Sequence, residues 1–378
     1  MKRLFILTAL LLAPLVAQAA TPPWAATNPS GAEVRIALPP PEDPRLAHLS
    51  WNKVVRTPQG SIVLACVAGE FHGNHGGGCP AVARSTDGAQ TFSKLNILRE
   101  FGRGSDYTCC GNLALGLAGD GALVLLAMAY SGDETNHIFG WRSADDGLTW
   151  TAVDTSTLGP DKTGSVFGNV VPIAGDGLAV LGHYRPGSRP HTEGIWMSIS
   201  ADHGGHWGQP RRISEVPALE PVLVASEGRL IAFLRSSKKP LRDAAAVGRQ
   251  YVAVSDDAGR TWSTQLSALD AENPATARLA APCAVENPNQ RGELFVLTTE
   301  RTASKNQNSR IWLWRGNARS LEFQRERVLL EFPNIKGSPH TDLGYPWLLH
   351  LEGRRWLLFY YHGQKRGPCP IWMTEVML

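Results

Sequence analysis

"SADDGLTW", residues 143–150, packs a hydroxyl, two carboxylates, a glycine and a tryptophan into one short turn. The pattern recurs as "STDGAQTF" from Ser85, "SADHGGHW" from Ser200 and "SDDAGRTW" from Ser255, with starts 55 to 58 residues apart. A fixed period of this length is the signature of one supersecondary unit per copy. Between the boxes a second grammar repeats: an apolar run, a glycine-bearing turn and another apolar run. It is seen in "GNLALGLAGDGALVLLAMAY", "EPVLVASEGRLIAFLRSS" and "GYPWLLHLEGRRWLLFYYHGQ". Two such runs around a turn are a β-hairpin, and six of them occur.

Hairpins apolar on both faces imply strands buried between neighbouring sheets. The sequence therefore predicts an all-β chain, a six-bladed β-propeller of four-stranded antiparallel blades. In the box, Ser143 and Asp145 are expected to bond the turn backbone, Gly147 to take positive φ, and Trp150 to cover the adjacent sheet. Recurrence makes the box a clip of the scaffold, because a reactive site is not expected four times over.

The first residues, "MKRLFILTALLLAPLVAQAA", carry two cations, a short apolar run and small residues at Ala17 and Ala19. This is the pattern of a secretory signal peptide, so residues 1–19 are expected to be removed and the protein to be periplasmic or extracellular. Residues 20–44 are expected to be extended, and 45–378 to form a single domain. No run is long enough to span a membrane. The net charge of +3 is nearly balanced and has no basic stretch, which argues against nucleic acid. A monomer acting on a small molecule or glycan fits best. Six cysteines in an exported chain make structural disulfides the expectation, whereas their spacing matches no zinc framework. No metal or cofactor is expected.

With four copies of Ser-x-Asp-x-Gly-x-Thr-Trp at this spacing, the chain resembles the Asp-box proteins of the sialidase (neuraminidase) superfamily. The resemblance covers essentially the whole mature chain, and it implies a site at the channel mouth, built from the ends of inner strands. By that resemblance, Glu220 opens and Arg235 closes one hairpin, as a base and a carboxylate-binding arginine. Tyr345, in "DLGYPW", matches the tyrosine nucleophile. Sialidases depart from the two-carboxylate rule of glycosidases in this respect, and a neutral phenol is not repelled by an anionic sugar. Arg310 is matched to a further carboxylate-binding arginine, with Arg301 as its rival. Each of these also fits an ordinary strand-end charge or a packed aromatic.

Two departures stand out. The place of the first arginine is held by Ser50, with Trp51 and Asn52 beside it, and Asn52 is a candidate for substrate binding. The loop that should supply the acid/base aspartate reads "GEFHGNHGGGCP", with Asn74 nearest the expected place. Asparagine carries no proton in acid/base catalysis, whereas imidazoles do. His75 is therefore the candidate proton donor, with His72 and Asn74 as binding residues. The leading expectation is an exported exo-glycosidase that removes a terminal acidic sugar. Two alternatives are a lyase acting on uronic-acid glycans, with His72 or His75 as base, and a glycan-binding propeller without catalysis.

Overall fold

The computed structural model describes residues 21–73, 75–102, 104–131, 135–158, 165–184, 194–236, 248–274, 276–302 and 307–378. The expected signal peptide and Asn74 lie outside them. Every regular element among the described residues is a strand. No helix there is long and apolar enough to cross a membrane.

The strands form a β-propeller, but not the six independent four-stranded antiparallel blades that the sequence predicts. Among the described residues five sheets are found, of four, eight, four, five and four strands. Three are four-stranded; one of these is built from His48–Arg56, Ile62–Gly69, Cys79–Ser85 and Asn96–Ile97. Another is Ala218–Ser226, Arg229–Ser236, Arg249–Ser255 and Ser263–Asp270. In the third, the N-terminal strand Val34–Leu38 pairs with Ile371–Met377 and so ties the two ends of the chain together. A five-stranded sheet holds the broken inner pair Ala277–Leu279 and Cys283–Glu286, followed by Glu293–Thr302, Ser309–Asn317 and Phe323–Phe332.

The eight-stranded sheet arises where inner strands Cys109–Leu117 and Ser165–Pro172 pair in parallel, Ala114 to Gly116 against Gly168 to Val170. Glycine permits this approach, since a Cβ on Gly116 would stand 2.0 Å from the carbonyl oxygen of Val170. The hairpin pattern could not show it, because a contact between inner strands leaves no mark on periodicity within either one.

The inner strands are buried nearly throughout, as the apolar runs imply; Leu113, Ala114 and Leu115 have no exposed surface. The six cysteines sit in this interior as free, buried thiols, which corrects the expectation of disulfides. They serve as small apolar packing groups, and burial pushes the Cys66 thiol up to about 12.

The four boxes follow the third strands and behave as the sequence suggests. Asp145 accepts from the backbone N–H of Thr149 at 2.9 Å, from its hydroxyl at 2.5 Å, and from the Ser143 hydroxyl at 2.8 Å. Where His206 replaces threonine, its Nδ1 meets Asp202 at 2.5 Å and takes over the missing hydroxyl's role. Ala89 adopts φ 68° at the position where the other boxes have glycine.

Candidate active site

The inner strands carry breaks in register that aim side chains at the channel. The pairing jumps between Ser50 and Lys53, between Leu219 and Val222, and between Gly344 and Trp347. At these bulges Trp51, Glu220 and Tyr345 adopt φ of 53°, 50° and 53°, in the left-handed region. Such a conformation costs a bulky residue about 1–3 kcal/mol and is kept where the surroundings hold it. Pro221 and Pro346 lie within two of the bulges, where a missing ladder donor is tolerated.

The three residues meet at one cavity of about 580 Å³, within the range of ligand pockets, together with His72, Arg235 and Arg301. Tyr345 donates its phenolic hydrogen to Glu220 Oε1 at 2.5 Å. Arg235 donates to Glu220 Oε2 and, at 3.2 Å, to the Tyr345 oxygen. All three side chains are buried. The backbone N–H of Glu220 donates to His183 Nδ1 at 3.2 Å, so that ring nitrogen is an acceptor.

Burial alone would raise the Glu220 carboxyl, but the Arg235 charge and the hydrogen bonds from Tyr345 and Arg235 hold it below its ordinary value. Burial first, and then the negative charge of Glu220, push the Tyr345 phenol well above its ordinary value. At rest, then, the site holds a carboxylate and an intact phenol that share one hydrogen bond.

Arg235 and Arg301 each close the second strand of their sheets, which puts both guanidiniums at the same mouth. Arg301 donates to the Leu343 carbonyl and to the Tyr361 hydroxyl at 3.1 Å, and its charge lies 5.5 Å from the Tyr345 ring centre. Its Nε has no partner among the described residues. Arg310 is not part of this site. It begins the third strand of its sheet, one strand farther from the axis, and is held by Glu272 at 2.5 Å and Glu331 at 3.1 Å.

On the opposite wall, Trp51 occupies the bulge where the first arginine was sought, with its ring 4.4 Å from that of His72 and 6.3 Å from that of Tyr345. His72 Nδ1 meets Asp342 Oδ2 at 2.6 Å. His75, the expected proton donor, lines a neighbouring cleft with Phe71 and Lys365 instead of this cavity. Asn52 is fully buried and does not line the cavity. Sequence reasoning thus brought together Tyr345, Glu220, Arg235 and His72, and it missed Asp342 and the ring of Trp51. A carboxylate three residues ahead of Tyr345, at the same strand start, was the available signal for Asp342.

Residues 101–355 match the family model described as "BNR repeat-like domain". No curated protein matches the chain. Among solved structures, the chain is similar to a protein of unknown function from Dyadobacter fermentans, at 17% identity and a TM-score of 0.68, over 91% of this chain and 99% of that one. It is also similar to the Hadza microbial sialidase Hz136, at 16% identity and a TM-score of 0.65, over 89% of this chain and 67% of that one. A third likeness is to a mutant of Trypanosoma rangeli sialidase displaying trans-sialidase activity, at 15% identity and a TM-score of 0.67. That match covers 93% of this chain and 58% of the trypanosomal one. At these identities the likeness is one of fold.

Proposed function

This chain belongs to the BNR repeat-like domain family, and we propose that it is a sialidase-type exo-glycosidase that removes a terminal acidic sugar from glycans in the periplasm or outside the cell. The observation that carries the reading is the 2.5 Å hydrogen bond from Tyr345 to Glu220, set between the buried guanidinium of Arg235 and the partly buried one of Arg301. A sugar carboxylate entering the cavity meets Arg235 and Arg301, and an arginine fork binds a carboxylate through charged hydrogen bonds. Binding also changes the base. Arg235 holds Glu220 at rest, so a substrate carboxylate that draws Arg235 away removes the charge that keeps Glu220 weakly basic.

Glu220 then takes the phenolic proton as the Tyr345 oxygen attacks the anomeric carbon. The glycosidic bond breaks, and the leaving oxygen takes its proton from the wall that carries His72 and Asp342. Trp51 offers an apolar face to the sugar ring between them.

The His72–Asp342 pair also favours a second reading, elimination next to a uronic carboxylate with His72 as base. The two reactions differ in their products. On a panel of α-linked acidic glycosides, the wild-type protein is expected to release the intact sugar, and Tyr345→Phe to lower kcat at least about a hundredfold. An unsaturated, ultraviolet-absorbing product selects the lyase. Binding with no turnover on any member of the panel would leave a lectin.

A further inference from the structure

Asp342, the first residue of its inner strand, gathers two histidines from remote parts of the chain. Its Oδ2 lies 2.6 Å from Nδ1 of His72 and 3.2 Å from Nε2 of His48, and the three atoms all lie within 4.8 Å of one another. The proton count at His48 is the informative part. Its Nδ1 lies 3.1 Å from the carbonyl oxygen of Gly367, which only accepts, so Nδ1 carries the hydrogen. A neutral His48 therefore presents a bare lone pair at Nε2. That atom is buried and faces the Asp342 carboxylate oxygen at 3.2 Å. Two lone pairs held against each other in a dry site are costly, so either a second proton on His48 or a metal ion lies between them.

Two imidazole nitrogens and one carboxylate oxygen are a ligand set for a borderline divalent transition metal. A backbone carbonyl on the far ring nitrogen, as Gly367 supplies to His48, is the usual outer partner of a ligating histidine. We propose that His48, His72 and Asp342 bind a divalent metal of the zinc class, with its open coordination position turned to the cavity that His72 and Asp342 line. The ion would then do the work that the family resemblance assigns to an aspartate of the first-blade loop. This role rests on the glycosidase reading: an ion held by His48, His72 and Asp342 would acidify a water beside the cavity and so supply the proton that the leaving oxygen needs as the glycosidic bond breaks.

Metal binding is tested on the whole protein, stripped with a chelator and titrated with zinc by calorimetry and with cobalt(II) by visible absorption. One ion per chain is expected, with cobalt bands typical of nitrogen and oxygen ligation. His72→Ala, on the partly exposed loop, and Asp342→Asn are expected to weaken binding more than about tenfold. Their thermal melts report whether the fold persists. Tyr345→Phe is expected to bind zinc as the wild type does. The absence of a stoichiometric cobalt spectrum, or binding unaltered in both ligand variants, would overturn the site. Sugar release by a protein that binds no metal refutes the metal and spares the glycosidase; metal binding without any sugar release does the reverse.

Discussion

Tyr345, Glu220 and Arg235 share a closed set of hydrogen bonds in the resting site, and in the proposed function the neighbouring guanidinium decides what that set recognises. Arg301 lines the cavity with no carboxylate partner among the described residues, whereas both ends of Arg310 are engaged by Glu272 and Glu331. Arg301→Lys keeps the charge and loses the fork, so KM for an acidic sugar is expected to rise about tenfold or more with a smaller change in kcat. Arg310→Lys is expected to leave both constants unchanged; steady-state kinetics on one glycoside separates the two. Glu220, Arg235 and Tyr345 were legible because the family resemblance points to the ends of the hairpins, and each sits at the end of an apolar run. The choice between Arg301 and Arg310 was not, because one strand of lateral displacement separates them and the hairpin grammar carries no distance from the axis. His48 and Asp342 were hidden for a related reason, since they converge with His72 only when inner strands from opposite ends of the chain are brought side by side.

At the scale of elements, the boxes and the bulges divide the work along each strand. In one sheet Leu230 pairs with Ser255, where a box begins, and Arg235 pairs with Gln250 at the other end of the same strand. Five residues of extended chain separate clip from site by about 17 Å. The box aspartates are held low by their threonine partners: the side-chain and backbone hydrogen bonds of Thr149 bring Asp145 to about 2. A carboxyl depressed in the folded state contributes stability that is fully present above its unfolded value. That contribution is lost as pH falls through the folded one, here between about 4 and 2. Asp145→Ala is expected to cost about 1 kcal/mol at neutral pH, an exposed site being partly screened, and to leave kcat unchanged. Denaturant unfolding of the wild type should approach that of the variant as pH falls toward 2. The boxes were fully legible because their chemistry is local; every partner of Asp145 lies within four residues.

For the whole molecule, the period of the boxes announced a propeller, while the number and strand content of its sheets depended on close contacts at glycine. The parallel pairing at Gly116 and Gly168 merges strands that a repeat count treats as separate. The ring is tied by Val34–Leu38 against Ile371–Met377, so the channel mouth draws its residues from sheets made by both ends of the chain. Such a frame holds Tyr345 and Glu220, 125 positions apart, at hydrogen-bond distance. The central claim is that Tyr345 forms a bond to the sugar. The most direct measurement is mass spectrometry of peptides after incubation with a fluorinated acidic glycosyl fluoride, whose glycosyl-enzyme forms faster than it is hydrolysed. The account predicts one sugar adduct, on Tyr345, that is absent from Tyr345→Phe. Turnover of the natural linkage without any adduct, or an adduct on another residue, would contradict it.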